Sequence, residues 1–274
     1  MSEYTAIRLE RHDHIAEVIL NNPERLNAMS PNFFTEIGQA FQEIDADPDL
    51  RVAILWAEGR LFSAGLDLKA SLLNFQSGAD DQPSAGLRND QFYRDIRQIQ
   101  ACFTAIEQCR KPVIAAVHSH CIGGGVDLAT ACDIRLCSAD ATFSIHETKM
   151  AIVADLGTLQ RLTAIVGKGL AREMAYTGKR IAAARAHHFG LVNEVYDDKE
   201  SMLSAARAMA TEIAANSPFI VQGVKQVLQY SEEHSLHEGL DYVAQWNAAR
   251  IQTDDLLEAM TAFREKRPPV FGGR

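Results

Sequence analysis

The amino-acid sequence predicts an α/β fold, because short apolar, strand-like runs alternate with segments of helical periodicity along most of its length. Buried strands are predicted at 52–57, 113–117 and 134–137, with helical or turn-rich stretches between them. The last part of the chain is rich in Ala, Glu, Gln and Leu, which favours helix throughout. We therefore expect an α/β core domain at 1–199 and a helical C-terminal part at 200–274.

The first elements follow from local signals. Strand-like runs at 5–9 and 15–20 predict an opening β-hairpin. Ser30 followed by Pro31 predicts a helix start, since serine caps a helix N-terminus and proline is tolerated at the first helical position. Apolar residues at spacings of three and four continue this helix until the pair Asp47-Pro48 ends it.

Two later segments are assigned from their glycine and polar content. Gly190 predicts the end of a helix, after which 191–196 is predicted to form a strand. The stretch from Ser71 to Gln91 is polar and contains Gly and Pro. We predict a loop there, either a lid over a site or a disordered connection.

Composition and charge limit the function classes. The 274-residue chain has a net charge of −9, which disfavours a general nucleic-acid role. No apolar run approaches the roughly 20 residues of a membrane helix, and the chain start does not resemble a signal peptide. The last residues are not a peroxisomal signal and the five cysteines form no CxxC pair, so we expect a cytoplasmic protein with reduced thiols. His118 and His120 lack a second ligand pair, so no metal is expected.

A glycine triplet at 123–125 is the most informative local feature. It follows the predicted strand at 113–117 and leads into a helix-like run that carries Asp127. Glycine lets a ligand approach the backbone closely, and the first N–H groups of a helix are unpaired. The triplet therefore predicts either a site for an anionic oxygen beside a carboxylate, or a tight turn without function.

Four segments together resemble the enoyl-CoA hydratase/isomerase family, also called the crotonase family. They are 22–29 (NPERLNAM), 62–68 (FSAGLDL), 121–128 (CIGGGVDL) and 263–271 (FREKRPPVF). The likeness covers nearly the whole chain in order. It implies a spiral of repeated ββα units, with C-terminal helices that mediate trimer contacts. It also implies an oxyanion hole built from the backbone N–H groups of Ala64 and Gly124, which would stabilise the enolate formed next to a thioester.

The carboxylates distinguish members of this family. The hydratases have glutamates at the positions of Asp127 and of Glu147, twenty residues further on, so aspartate at 127 departs from their pattern. The trio Asp127, Glu147 and Asp155 is similar to the pattern of the family's dienoyl-CoA isomerases, which convert 3,5-dienoyl-CoA to 2,4-dienoyl-CoA in fatty-acid β-oxidation. Asp155 could alternatively cap a helix, and Glu147 could be a solvated charge.

The resemblance implies that one carboxylate removes the C2 proton and another delivers a proton to C6. We prefer Glu147 at C2 and Asp155 at C6, although the sequence leaves this assignment open, and Asp127 would orient or polarise the site. The expected partner is an acyl-CoA thioester, with no further cofactor because CoA is part of the substrate. Candidate residues for binding the CoA or acyl portion are Arg25, Leu66, Asp67, Lys69, Phe263 and Lys266.

The sequence leaves two rival functions open. A 2-enoyl-CoA hydratase would add water instead of moving double bonds. An RNA-binding relative would need a lysine-rich helix, whereas the helix after Ser30 contains no lysine. The resemblance implies a homotrimer or a homohexamer without choosing between them.

Overall fold

The structure is a computed structural model that describes residues 4–67 and 84–273. Its strands and helices alternate, which confirms the predicted α/β class. The strands are β1 Ile7–His12, β2 Ile15–Leu20, β3 Val52–Ala57, β4 Val113–Val117, β5 His120–Ile122, β6 Ile134–Ser138, β7 Thr142–Ser144, β8 Ile181–Ala182 and β9 Glu194–Tyr196. The α-helices, leaving aside two 3₁₀ turns, are α1 Pro31–Ala46, α2 Ala85–Gln108, α3 Gly124–Thr130, α4 Thr158–Thr177, α5 Ala183–His188, α6 Lys199–Ala214, α7 Pro218–Glu233, α8 Leu236–Arg250 and α9 Asp254–Glu265.

The strands form a large and a small sheet. The large sheet has the order β1-β2-β3-β4-β6-β9, and the small one has the order β5-β7-β8. In the large sheet, β1 and β2 form the predicted antiparallel hairpin and every later pair is parallel. β4 pairs with β6 in the large sheet while β5 pairs with β7 in the small one, so successive ββα units stack as turns of a spiral.

The large sheet is buried on both faces, as the continuous apolar runs of its strands predict. In β3, Ala53 and Leu55 face one apolar cluster, whereas Ile54 and Trp56 face the other. α6 covers the second face with Met202 and other small or apolar side chains. The first C-terminal helix therefore completes the core of the spiral.

α7 is fixed to the same core by a buried ion pair. Lys225 Nζ lies 2.7 Å from Asp133 Oδ2, and the lysine is almost fully buried. The same carboxylate oxygen accepts a hydrogen bond from the N–H of Val113 at 2.7 Å. The predicted boundary near residue 199 stays a prediction, as does the role of the C-terminal helices in assembly.

Three local predictions need correction. Residues 85–91 of the predicted loop form the start of α2, because Ser84 caps the helix by accepting a hydrogen bond from Leu87 N–H at 3.4 Å. The rest of that loop, 71–83, lies outside the described residues. The predicted strand 191–196 pairs only from Glu194 onward. The C-terminal part, which we expect to be helical throughout, is interrupted after α6 and divided into α7, α8 and α9. In the part of the chain that the structure describes, no helix has the length and apolar character of a membrane span.

Candidate active site

A short backbone ladder brings the two glycine-containing segments together. They follow β3 and β4, which are neighbouring parallel strands, so both emerge at the same edge of the large sheet. Ser63 N–H donates to His120 O at 3.0 Å, and Ile122 N–H donates to Ser63 O at 3.0 Å. Gly65 then passes so close to the second segment that a Cβ on it would lie 2.8 Å from Ile122 O. Only glycine fits here, since its φ is also +87°.

Met29 fixes the direction of the peptide between Gly65 and Leu66. Its N–H donates to Gly65 O at 2.8 Å, and its carbonyl accepts from Asp67 N–H at 3.0 Å. In a trans peptide the C=O and the following N–H point in opposite directions. The Leu66 N–H therefore points away from Met29, and among the described residues it has no acceptor.

The structure corrects one of the two predicted oxyanion donors. Ala64 N–H donates to Leu26 O at 3.0 Å, so it is committed to holding the loop and is not directed at a ligand. Leu66, predicted to line a binding pocket, has the unpaired N–H instead. The sequence alone could not show this. The motif at 62–68 has several backbone N–H groups, and only the structure shows which of them form hydrogen bonds with the segment that contains Met29.

The second predicted donor, Gly124, is unpaired. It is the first residue of α3, and within the described residues its N–H has no acceptor. A Cβ on Gly65 would lie 3.5 Å from Gly124 N, which shows how closely the two segments approach. Beneath Gly124 lies Met29, whose Sδ would be only 2.7 Å from a Cβ added there. Met29 thus contacts both segments that carry an unpaired N–H.

Glu147 lies beside this pair of N–H groups. It begins a 3₁₀ turn after β7, and a Cβ on Gly123 would come within 2.9 Å of Glu147 Oε1. Its other oxygen, Oε2, is buried without a hydrogen-bond partner among the described residues. Burial raises the pKa of Glu147 to about 7, and the nearby carboxylates Asp127 and Asp155 contribute in the same direction. The predicted reading as a solvated charge does not apply.

Asp127 is 1% exposed and joins α3 to α4. Its Oδ1 accepts a hydrogen bond from the N–H of Thr158, the first residue of α4, at 2.6 Å. Gly157, at the N-cap, has no side chain to do this. Burial raises the pKa of Asp127, while the hydrogen bonding with Thr158 opposes the rise.

Asp155 lies in the segment that enters α4. It is half-buried, and desolvation raises the pKa of its carboxyl. Its charge also acts on Glu147 and on Asp127, which places the three carboxyl groups in one electrostatic cluster. The alternative reading, that Asp155 caps a helix, fails because α4 begins at Thr158 and Asp127 supplies the cap.

The predicted binding residues are only partly brought together. Arg25 Nη1 and Asp67 Oδ2 form an ion pair of 3.2 Å, with the guanidinium largely exposed and the carboxylate buried. Lys69 lies outside the described residues. Phe263 is 85% exposed near the end of α9, and Lys266 follows that helix. Within the described part of a single chain, no hydrogen bond or ion pair links Phe263 or Lys266 to the three carboxylates.

The arrangement is suited to acid–base chemistry at a carbonyl compound. Two backbone N–H groups can bind an oxygen that gains negative charge, since preorganised donors stabilise it without reorganisation. Carboxyl groups whose pKa values are raised toward neutrality can accept and donate protons nearby.

Comparison with known proteins agrees with this chemistry. The family model described as Enoyl-CoA hydratase/isomerase matches residues 10–274. The chain belongs to the enoyl-CoA hydratase/isomerase family. A mitochondrial Delta(3,5)-Delta(2,4)-dienoyl-CoA isomerase of Dictyostelium discoideum is 46% identical over 273 residues, covering 99% of this chain and 92% of that protein. A peroxisomal Delta(3,5)-Delta(2,4)-dienoyl-CoA isomerase of Arabidopsis thaliana is 47% identical over 265 residues, covering 97% and 95%.

Solved structures of the enoyl-CoA hydratase/isomerase family share the fold. The enoyl-CoA hydratase of Bacillus anthracis superposes with a TM-score of 0.88 at 32% identity, covering 98% of this chain and all of that one. The predicted crotonase-type spiral is therefore confirmed. The predicted cytoplasmic location is wrong, because the named isomerases of the family to which this chain is similar are mitochondrial or peroxisomal.

Proposed function

We propose that this chain is a Δ3,5-Δ2,4-dienoyl-CoA isomerase, an enzyme of fatty-acid β-oxidation. The observation that carries the proposal is the cluster of Asp127, Glu147 and Asp155 beside two unpaired backbone N–H groups. The 46% identity to a protein of that name supports it. The substrate brings its own CoA, so no further cofactor is needed.

The Leu66 and Gly124 N–H groups form the oxyanion hole. They receive the thioester oxygen, whose negative charge increases as the C2 proton leaves and a dienolate forms. The contacts of Met29 support this role, since its backbone bonds to the peptides on both sides of Leu66 and its sulfur packs against Gly124. One such donor typically contributes about 2.7–4 kcal/mol to barrier lowering.

Glu147 takes the C2 proton, and Asp155 supplies the C6 proton. C2 is bonded to the thioester carbon, so its base must lie near the oxyanion hole, and Glu147 contacts Gly123, the neighbour of Gly124. The C2–H bond breaks, its electron pair moves through the conjugated system, and a C6–H bond forms with the proton of Asp155. Glu147 ends protonated and Asp155 ionised, and proton exchange with solvent restores both.

The raised pKa values suit these roles. A pKa of about 7 leaves a substantial fraction of Glu147 ionised, and thus basic, at neutral pH. Burial raises the pKa of Asp155 in the direction that a proton donor requires. Asp127 anchors α4, and its charge contributes to the raised pKa of Glu147.

A 2-enoyl-CoA hydratase is the second candidate, favoured by the structural likeness to an enzyme of that name. Hydration needs two carboxylates that hold one water between them. Asp127 is poorly suited to hold such a water, because it is almost fully buried and one of its oxygens is bound to Thr158 N–H. Parallel assays with a 3,5-dienoyl-CoA and a 2-enoyl-CoA separate the two: faster turnover of the 2-enoyl-CoA contradicts the isomerase proposal.

CoA recognition is assigned to the exposed face around the first glycine segment. The Arg25 guanidinium is exposed enough to meet a phosphate while Asp67 holds it in place. Leu66 is 41% exposed, so its side chain can cover part of a ligand. Lys69 and Lys266 remain proposed phosphate partners.

We also propose that the chain assembles as a homotrimer or as a hexamer of two trimers. α9 exposes Leu257, Met260 and Phe263 at spacings of three, which is a single apolar face. They line a shallow groove of about 450 Å³. Burying this face against a neighbouring copy would explain its exposure in one chain. Light scattering of the wild type and of Met260→Lys tests this: a monomeric wild type contradicts it.

Backbone ester substitution tests the oxyanion hole directly. Replacing the Leu66 N–H by an ester oxygen leaves every side chain in place, and we expect kcat to fall by about 10²–10³-fold. The same replacement at Ala64 removes the hydrogen bond to Leu26 O, so it lowers stability by about 0.5–1.5 kcal/mol with a much smaller effect on kcat. A larger loss of kcat at Ala64 than at Leu66 would restore Ala64 as the donor.

A further inference from the structure

The backbone of Asp155 is held by a side chain from a distant helix. Gln100 Nε2, on α2, donates a hydrogen bond of 2.6 Å to the main-chain carbonyl of Asp155. Arg97 Nη1 donates to Gln100 Oε1 at 2.8 Å. Since Oε1 is already used by Arg97, the amide nitrogen of Gln100 is the end that faces Asp155. The orientation of this amide is therefore defined on both sides.

The next two residues are held by Arg161 on the first turns of α4. Arg161 Nη1 donates to Leu156 O at 3.2 Å. Gly157 has a φ of +120°, and a side chain on it would collide with the same guanidinium. Arg161 Nη2 in turn forms an ion pair of 2.8 Å with Glu107 Oε2 on α2, and the arginine side chain is mostly buried.

The two α2 residues that hold the segment around Asp155 lie on one face of that helix. Gln100 and Glu107 are seven residues apart, which is two helical turns. One reaches the carbonyl of Asp155 directly, and the other reaches its neighbour Leu156 through Arg161. The position of the Asp155 carboxyl is thus tied to α2 as well as to α4.

We propose that Gln100 is a positioning residue for Asp155, and that α2 sets where the Asp155 carboxyl lies along the acyl chain. This proposal rests on the proposed isomerase function. Glu147 is held by a different turn, after β7, and its contact is with Gly123. Loss of the Gln100 contact should therefore impair proton delivery at C6 and leave proton removal at C2 intact.

The test compares three variants of the full-length protein. Gln100→Leu removes the hydrogen bond, and Gln100→Glu keeps the shape but replaces the donor by a carboxylate. Gln91→Leu is the matched control, because Gln91 lies on the same helix and its side chain donates to exposed Asp95, not to the segment of Asp155. Each is assayed with a medium-chain 3,5-dienoyl-CoA for product formation. Deuterium uptake at C2 of unreacted substrate in D₂O and Tm are measured in parallel.

We expect kcat for isomerisation to fall by about 10- to 100-fold in both Gln100 variants, as for a misplaced catalytic group. Deuterium uptake at C2 should persist, because the dienolate still forms and returns to substrate. Gln91→Leu should match the wild type in all three measurements.

Two results would overturn the positioning role. The first is that Gln100→Glu keeps the wild-type ratio of the isomerisation rate to the C2-exchange rate. The second is that both rates fall in parallel in the Gln100 variants and Tm falls with them. A wild-type protein that forms no 2,4-dienoyl-CoA would instead overturn the proposed function itself.

Discussion

Asp127 and Thr158 are joined by a hydrogen bond of 2.6 Å that connects the first turn of α3 to the first turn of α4. α4 begins at a glycine N-cap and so has no capping side chain of its own. A carboxylate at a helix N-terminus satisfies an unpaired N–H and is favoured by the helix dipole. The acid beside the glycine triplet therefore fixes the two helices that flank the candidate site, and its charge raises the pKa of Glu147.

Substituting Asp127 should separate these two effects. Asp127→Asn keeps an oxygen that can accept from Thr158 N–H, whereas Asp127→Ala leaves this buried donor unpaired. We expect Asp127→Ala to lose about 1–3 kcal/mol of unfolding free energy and Asp127→Asn to lose less. Denaturant unfolding measures both.

Activity of the Asp127→Asn variant provides the second measurement. With the neighbouring charge removed, the pKa of Glu147 should fall, so the acid limb of the kcat/KM profile moves to lower pH. If Asp127→Asn instead abolishes C2 exchange as completely as Glu147→Gln does, Asp127 is itself the base and its anchoring role is secondary.

The pH dependence of turnover should report Glu147. As the base it must be ionised, so kcat/KM is expected to rise with pH through an apparent pKa of about 7. Glu147→Gln should lose about 10²–10⁴-fold in rate, the usual contribution of a general base. A stopped-flow pH series with a 3,5-dienoyl-CoA measures both. An acid limb near pH 4.5 would contradict the burial of this carboxyl.

Stability should respond to the same carboxyl with a defined sign. The pKa of Glu147 is raised in the folded state from 4.5 to about 7, so the folded protein binds this proton more tightly than the unfolded chain does. Its contribution is complete below pH 4.5 and is lost as pH rises through about 7. Between pH 5 and pH 8, the Tm of the wild type should therefore fall relative to the Tm of Glu147→Gln, as measured by thermal unfolding. A gain would contradict the direction of the shift.

Much of the fold could be predicted from sequence because its signals are local. The apolar runs of β2, β3 and β4 and the Ser30-Pro31 helix start depend on neighbours in the chain. The start of α2 escaped prediction because its first turns are exposed, so they bury no apolar stripe. The strand predicted at 191–196 is longer than β9 because Val192 is apolar and buried but does not pair in a strand.

The site was predicted less completely, for a physical reason. Asp127, Glu147 and Asp155 could be found from spacing, and the structure brings their charges together. The choice between Ala64 and Leu66 depends on backbone hydrogen bonds with Leu26 and Met29, which lie some forty residues earlier in the chain. The oxyanion donor can therefore be identified only when the position of the segment 22–29 relative to the two glycine-containing segments is known.

Gly123 should tolerate no side chain. Its φ is +54°, and a Cβ would lie 2.9 Å from Glu147 Oε1, so alanine must displace the carboxyl. We expect Gly123→Ala to lower kcat more than it raises KM, because an ångström-scale shift of a reacting group costs up to about 100-fold. Gly169→Ala on α4 is the control, since nothing lies within 4 Å of its added Cβ. Equal kinetics for the two variants would rule out tight contact with Glu147.

Met29 and Gly124 should show energetic coupling. A Cβ on Gly124 would lie 2.7 Å from Met29 Sδ, so Gly124→Ala must push either the methionine or the first turn of α3, which carries an oxyanion donor. Met29→Ala removes the sulfur and makes room, though the cavity should cost about 2–5 kcal/mol of stability. In a double-mutant cycle on kcat, Gly124→Ala should therefore be far less damaging in the Met29→Ala background. If the two substitutions have additive effects on kcat, Gly124 can move away from Met29. The oxyanion hole would then not depend on this contact.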